Sequence, residues 1–256
     1  MRVTVCELDD DPSIFACQWE KLVAHVGARG SQLVLLPEMP FHPWLARRRE
    51  FDLTEWKAAL MSHDAWFPRL QEMAPAAVLG TRPVVRREQR LNEGFVWDIG
   101  GGYRPAHFKH YLPEEEGFWE ATWFGRGDGT FVPAQVGPVE VGFAICTELW
   151  FFQHARAYGK QGIHIIASPR GTMKATVERW LVGGRATAIT SGAFSLSSNR
   201  VSSNDSEPIF GGRGWIVSPD GEVLGLTSRE QPFVTVDIDL NQAEKAKEGY
   251  PQYVLE

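Results

Sequence analysis

Two stretches of apolar residues each end at a residue whose side chain can take part in chemistry. The run that starts at Leu33 ends at Glu38, and the run that starts at Val141 ends at Cys146. Pro37 cannot donate to a sheet hydrogen bond, so it should end the first strand immediately before Glu38. Because ligands of α/β sheets bind at the carboxyl ends of strands, we expect the carboxylate and the thiol to share one site.

Lys109, between these two segments, supplies a third group that a thiol-dependent hydrolase needs. Such an enzyme requires a nucleophilic sulfur, a base that takes its proton and donors for the negative oxygen formed on attack. Cys146, Glu38 and Lys109 can fill these roles, since burial makes a carboxylate more basic. The backbone N–H of Thr147 would be a second donor. Each residue alone has an ordinary structural explanation, so the prediction depends on their convergence.

The composition argues against a nucleic-acid partner. The 256 residues include 26 basic and 32 acidic side chains, which leaves a net charge of −6 and no general positive field to hold a phosphate backbone. The sequence shows neither a basic leader nor an apolar run of about 18 residues. We therefore expect no membrane partner and a cytoplasmic location. From the chain length we expect a single domain over residues 1–256.

The cysteines favour reduced thiols over a disulfide framework or a metal site. Cys6, Cys17 and Cys146 are an odd number without the paired spacing of a zinc site. The chain also lacks a His-Glu-x-x-His segment, so a metal hydrolase is disfavoured and no metal ligand is predicted.

The element pattern predicts an α/β fold, because short runs rich in Val, Ile and Phe alternate with amphipathic segments. A first helix should begin near Pro12 and end at Gly30. Its apolar stripe comprises Phe15, Trp19, Leu22 and Val26. The predicted strands cover residues 3–8, 32–36, 76–81, 94–98, 139–145, 163–167, 193–197, 215–217 and 233–238. The other predicted helices cover residues 54–61, 150–159 and 177–189.

These segments resemble the signature segments of the nitrilase-type carbon–nitrogen hydrolase superfamily. Glu38 lies in Leu-Leu-Pro-Glu-Met, Lys109 in Phe-Lys-His-Tyr-Leu-Pro and Cys146 in Ala-Ile-Cys-Thr-Glu-Leu-Trp, in the order that the superfamily uses. Later segments that begin at Ser198 and Phe210 resemble its Asn-Arg-Val strand and its Gly-Gly hairpin. The resemblance covers residues 1–240.

The resemblance implies a four-layer αββα sandwich that dimerises or forms a higher homo-oligomer, with no metal or organic cofactor. It also implies that Cys146 attacks the carbon of a small amide, N-carbamoyl compound or nitrile, and that ammonia or an amine leaves. Water then hydrolyses the thioester. In this scheme Glu38 is the general base and acid, and Lys109 stabilises the oxyanion.

Two residues compete for the second glutamate that is often found in such sites. Glu120, in Gly-Phe-Trp-Glu-Ala-Thr-Trp-Phe, resembles the Phe-x-Glu-x-x-Tyr-Phe segment of carbamoyl-hydrolysing branches. Glu116, in Glu-Gly-Phe-Trp, resembles the corresponding segment of aliphatic amidases. We favour Glu120, as a partner of Lys109 and of the departing nitrogen.

Three features bear on the substrate. Thr147 stands where true nitrilases generally keep Trp, which favours amides and N-carbamoyl compounds over nitriles. Arg170 follows a predicted strand, and we expect its guanidinium to bind a substrate carboxylate. Trp150 is expected in the pocket wall. Tyr111 stands where the lysine segment usually has histidine, which predicts a change in how that loop is held.

Two other interpretations of the chain stay open. A Cys–His thiol enzyme would use one of His107, His110, His154 and His164 as its base. A catalytically silent interaction protein would keep the fold without turnover, although the joint presence of the Glu, Lys and Cys argues against it. A nitrilase remains the alternative within the same superfamily.

Overall fold

The computed structural model describes residues 1–203 and 208–254. Its strands are β1 (Arg2–Asp9), β2 (Leu33–Leu35), β3 (Ala77–Arg86), β4 (Gln89–Asp98), β5 (Gly102–Phe108), β6 (Ala134–Val136), β7 (Val139–Phe143), β8 (Ile165–Arg170), β9 (Phe194–Val201), β10 (Trp215–Val217), β11 (Val223–Leu226) and β12 (Phe233–Asp237). Its α-helices are α1 (Pro12–Arg29), α2 (Leu53–Trp66), α3 (Glu120–Trp123), α4 (Phe152–Lys160), α5 (Val177–Ser191) and α6 (Asn241–Ala246).

The strands form two sheets that meet at β1. The first sheet has the order β5-β4-β3-β2-β1-β12, in which β1, β2 and β3 are parallel. The second has the order β6-β7-β8-β9-β10-β11, in which β7, β8 and β9 are parallel. Strand β1 pairs with β2 through residues 3–5 and with β9 through residues 7–9. The carboxyl ends of both parallel sets therefore lie at one end of the molecule.

The main core fills the space between the two sheets. Val3 and Val5 of β1 point into it, whereas Cys6 and Leu8 point to the opposite face, as the two-residue repeat of a strand requires. Because both faces of β1 are covered, the strand is buried at every residue after Arg2. The inter-sheet core also takes in Leu33, Leu35, Leu79, Val96, Val141, Phe143, Ile165, Ala167, Phe194, Leu196 and Ile216.

Helices cover the outer faces of both sheets, so the predicted αββα sandwich is confirmed. The buried residues of α1 are the stripe Phe15, Trp19, Leu22 and Val26. Asp11 caps the helix by accepting from the N–H of Ser13, and Gly30 ends it with a φ of 59°. On the second sheet, Gly184 of α5 lies so close to Trp215 that a Cβ would come within 2.5 Å of the indole.

Several elements were missed in the sequence, and β5 matters most because it leads to Lys109. It is an edge strand with a half-buried pattern and a proline, Pro105, at its centre. An edge strand tolerates proline and needs little apolar alternation, so the local pattern was weak. Strands β6 and β11 and helices α3 and α6 are short and were missed for the same lack of periodicity.

No helix in the described part of the chain is long and apolar enough to cross a membrane.

Candidate active site

Glu38 enters the site where the backbone passes from the first sheet to the second. The N–H of Leu36 still bonds to the carbonyl of Leu79 on β3, at 2.8 Å. Pro37 follows and cannot donate, and the N–H of Glu38 then bonds to the carbonyl of Arg170 at the end of β8, at 3.2 Å. The predicted effect of Pro37 is thus observed, and it places a fully buried carboxylate between the two sheets.

Cys146 begins a short 3₁₀ turn (Cys146–Trp150) just after β7. Its φ is 48°, in the left-handed region that costs a residue with a Cβ about 1–2 kcal/mol. This conformation turns the thiol out of the line of the strand, and Cys146 lines a cavity together with Gly171. The side chain is 4% exposed, so the sulfur lies at the bottom of the site.

Lys109 follows β5 and is held at its backbone from both sides. Its N–H bonds to the carbonyl of Asn92 at 2.9 Å, and its carbonyl accepts from the N–H of Gly127 at 2.9 Å. A Cβ at Gly127 would lie 2.0 Å from the carbonyl oxygen of Phe108, so this approach requires glycine.

The ammonium of Lys109 joins two buried carboxylates. Its Nζ lies 2.8 Å from Oε1 of Glu38 and 2.8 and 2.7 Å from the two oxygens of Glu120. All three side chains are fully buried. The structure therefore brings Glu120 to Lys109, whereas Glu116 is exposed. Glu120 opens the four-residue helix α3, which Trp123 fixes by donating from Nε1 to the carbonyl of Arg48 at 2.7 Å.

Asn92 completes the surroundings of Glu38 and was missed in the sequence. Its Nδ2 donates to Oε1 of Glu38 at 2.8 Å, so that oxygen has two donors. The other oxygen, Oε2, is buried and has no hydrogen-bond partner among the described residues. A buried acceptor left open beside a thiol is what a base would require. The available signal was a polar residue just before the predicted strand at residues 94–98.

Burial dominates the protonation of these groups. It raises the pKa of the Cys146 thiol, and the charge of Glu38 raises it further against the opposing effect of Lys109. Burial alone would lower the pKa of Lys109, but the charges of Glu120 and Glu38 reverse this and raise it. Burial also raises the pKa of Glu120, and the charge of Lys109 opposes this effect. The resting site therefore holds a neutral thiol and a cationic lysine, so attack needs a base.

A cavity of about 380 Å³ opens over Cys146. Thr147 and Trp150 line it, and Trp180 of α5 packs against Trp150 at 5.2 Å between ring centroids. The remaining lining residues are Pro113, Glu115, Phe118, Gly171, Thr172, Met173, Thr176 and Arg179. Within the described residues no cluster of His, Cys, Asp or Glu is arranged to hold a metal ion.

Arg170 does not line this cavity, and the expected direct contact with a substrate carboxylate does not fit its position. The side chain is fully buried. Its three nitrogens donate to Ser197 Oγ, Thr172 Oγ1 and the carbonyl of Arg213, at 2.6, 2.7 and 2.8 Å. Its guanidinium also lies 4.0 Å from the ring centroid of Trp215. The strand extends beyond the predicted residues 163–167, so that Arg170 is the last residue of β8, and its head group is buried in the protein.

Glu148, a buried acid that the sequence analysis did not single out, ties the lysine loop to the cysteine turn. Its carboxylate accepts from the N–H of His110 at 2.7 Å and from the N–H of Ile145 at 2.9 Å. Nε2 of His107 lies 2.8 Å from the same group. The sequence feature that could have identified Glu148 is its position two residues after Cys146.

Tyr111, in the lysine loop, stacks on Phe151 with 3.5 Å between the ring centroids. This contact holds the loop, in which Tyr111 stands where the superfamily segment usually has histidine.

We expect Glu148→Ala to lower the free energy of unfolding by about 3 kcal/mol, because it leaves two backbone N–H groups and an imidazole without their acceptor. Glu148→Gln, which keeps one acceptor oxygen, should lose less. Urea denaturation of the two variants and the parent measures this. A loss below about 1 kcal/mol in the alanine variant would contradict the bridging role.

The histidines offered for a Cys–His pair have other partners. His107 meets Glu148, and His154 Nε2 lies 2.9 Å from the hydroxyl of Tyr111. Nδ1 of His110 lies 2.7 Å from the carbonyl of Gly127. His164 lies between the N–H of Glu140 and the carboxylate of Glu244. The charged groups that act on the Cys146 thiol are Glu38, Lys109 and Glu120, and none of these four histidines is among them.

Residues 7–248 match the family model described as carbon-nitrogen hydrolase. The chain belongs to the carbon-nitrogen hydrolase family. That match covers nearly the whole chain and includes Glu38, Lys109, Glu120 and Cys146, so the resemblance seen in the sequence is confirmed.

Two relatives of this carbon-nitrogen hydrolase differ in length. A glutamine-dependent NAD(+) synthetase of Rhodobacter capsulatus is 29% identical over 254 residues, which are 95% of this chain and 44% of the relative. The chain thus spans less than half of that protein. An N-carbamoylputrescine amidase of Solanum tuberosum is 23% identical over 98% of this chain and 91% of its own length.

A solved structure supports the fold of this carbon-nitrogen hydrolase. A carbon-nitrogen hydrolase from Helicobacter pylori G27 superposes with a TM-score of 0.86 at 20% identity, over 98% of this chain and 94% of that one. At this identity the likeness concerns the fold, and it agrees with the four-layer sandwich described above.

Proposed function

We propose that this protein hydrolyses the carbon–nitrogen bond of a small amide or N-carbamoyl compound through a thioester on Cys146. The observation that carries the proposal is the buried cluster of Glu38, Lys109 and Glu120, together with a cavity that Cys146 lines. One relative is named for N-carbamoylputrescine and another for its dependence on glutamine, which is itself an amide.

In the first half-reaction the Cys146 thiol gives its proton to the open Oε2 of Glu38 as the sulfur attacks the carbonyl carbon. The carbonyl oxygen becomes negative, and Lys109 and the N–H of Thr147 stabilise it. Glu38 then passes the proton to the nitrogen. The carbon–nitrogen bond breaks, ammonia or an amine leaves, and a thioester remains.

In the second half-reaction water attacks the thioester and Glu38 takes a proton from it. The carbon–sulfur bond breaks, and Glu38 returns that proton to the sulfur of Cys146. Glu120 holds the ammonium of Lys109 with both oxygens and thereby fixes the direction in which it can donate. The cycle needs no oxidant, reductant or other reactant than water.

An ammonia-release screen tests the proposal over N-carbamoyl amino acids, N-carbamoyl amines, aliphatic amides, aromatic amides and nitriles, with Cys146→Ala as the blank. We expect release from an amide or N-carbamoyl class that the blank does not show. Release from nitriles alone would support the nitrilase alternative. If no compound releases ammonia and no covalent adduct forms on Cys146, the result would support the silent interaction protein. The homo-oligomer and the cytoplasmic location stay predictions.

A further inference from the structure

Arg170 is a buried cation without a hydrogen-bonded carboxylate. Its three hydrogen-bond acceptors are two hydroxyls and a backbone carbonyl, all of them neutral. A buried charge is normally neutralised by a directly bonded partner. The charge of Glu7 acts on Arg170 without a hydrogen bond between them, and Glu7 accepts instead from the N–H of Arg213 at 2.7 Å. The positive charge is therefore only partly balanced, and it acts on the groups next to it.

One of those groups is the hydroxyl of Thr172, which stands in the cavity wall. Its Oγ1 accepts from Arg170 at 2.7 Å and from Nδ2 of Asn199 at 3.0 Å. A hydroxyl oxygen has two acceptor positions, and both are now filled. By contrast, Ser197 accepts from Arg170 but donates its own proton to the carbonyl of Ser168 at 2.6 Å. The proton of Thr172 has no such acceptor among the described residues.

The orientation of the Asn199 amide is fixed by its own partners. Its Oδ1 accepts from the N–H of Thr172 at 2.9 Å, and its Nδ2 donates to the carbonyl of Gly212 at 2.6 Å. Turning the amide over would place two donors together and two acceptors together. Nδ2 is therefore a donor toward Thr172, and the hydroxyl cannot point its proton back at it.

We propose that the Thr172 hydroxyl donates a hydrogen bond to a carboxylate of the substrate, with the buried charge of Arg170 behind it. Thr172 lines the same cavity as Cys146 and directly follows Gly171, which lines it as well. A hydroxyl that already accepts from a guanidinium is a stronger donor, and a negatively charged acceptor gains most from it. Arg170 acts through Thr172 as a positioning residue.

This inference rests on the proposed function and narrows its substrate to amides or N-carbamoyl compounds that carry a carboxylate. Arg179 lines the same cavity from α5 and is exposed, so it is the competing partner for such a group. Glu115 lines the cavity as well and would repel a carboxylate placed beside it. The experiment has to separate Thr172 from Arg179.

Binding is measured on Cys146→Ala, which does not turn substrate over, by NMR titration with succinamate and glutaramate. Butanamide and pentanamide are the neutral matches. We expect the two carboxylates to bind more tightly than their matches. Adding Thr172→Val should raise the Kd of the carboxylates about tenfold or more and leave that of the neutral amides unchanged. Thr172→Ser, which keeps the hydroxyl, should retain the preference.

Equal binding of charged and neutral amides to Cys146→Ala would overturn the proposal. So would an equal change, or none, for both classes on adding Thr172→Val, or a loss of preference in Thr172→Ser. Loss of the preference in Arg179→Gln but not in Thr172→Val would assign the carboxylate to Arg179 instead. Thermal melting establishes that each variant is folded. Ammonia release by the unmodified enzyme is scored separately, so failed turnover with intact binding would reject only the hydrolase proposal.

Discussion

Replacing Cys146 with alanine is expected to lower the rate of ammonia release by about 10⁵-fold or more, because no other group in the described site can form the covalent intermediate. Cys146→Ser should also be severely impaired. Its hydroxyl is a weaker nucleophile, and the site offers Glu38 as a base but no imidazole. The measurement is steady-state release from the best substrate of the screen.

Cys17 provides the matched control for this experiment. It is exposed on α1, far along the chain from the cavity residues, and Cys17→Ser should keep full activity. In that background an electrophilic amide analogue should label one peptide, the one that contains Cys146, and substrate should slow the labelling. Activity that survives in Cys146→Ala would exclude the thioester route.

Glu38→Gln is expected to lower kcat by about 10²- to 10⁴-fold while the protein stays folded. Glutamine keeps an oxygen that can accept from Lys109 and Asn92, so the hydrogen bonds at Oε1 survive. What it loses is the basic Oε2, and burial keeps the Cys146 thiol protonated without a base. The rate at which an electrophile alkylates Cys146 should therefore fall together with kcat.

His107→Gln is the companion variant for this test, since His107 is a buried imidazole between Glu148 and Phe131. Under the proposed mechanism it should keep kcat within about tenfold of the parent once the folded fraction is measured. The reverse pattern, with Glu38→Gln active and His107→Gln inactive, would identify a Cys–His pair and reject Glu38 as the base.

The sequence was most informative where a local pattern sets a local structure. Pro37 cannot donate to a ladder, so the end of β2 and the position of Glu38 were predictable. The stripe of α1 follows from its 3.6-residue repeat and its stop from Gly30. The family segments around Glu38, Lys109 and Cys146 could also be recognised in the sequence, and they predicted the correct fold.

Tertiary structure decided which polar side chains meet. Arg170 was predicted to bind a carboxylate because it follows a predicted strand, yet its guanidinium donates to Ser197 on β9, to Thr172 and to the carbonyl of Arg213. Of these three partners, Thr172 is the one that lines the cavity. Asn92 and Glu148 gave weak signals, since their partners lie 54 and 38 residues away. Hydrogen bonds between residues so far apart in the sequence depend on how the two sheets pack, and the local periodicity of the sequence does not determine that packing. The direction in which the Thr172 hydroxyl donates likewise depends on tertiary partners, because Arg170 and Asn199 both donate to its oxygen.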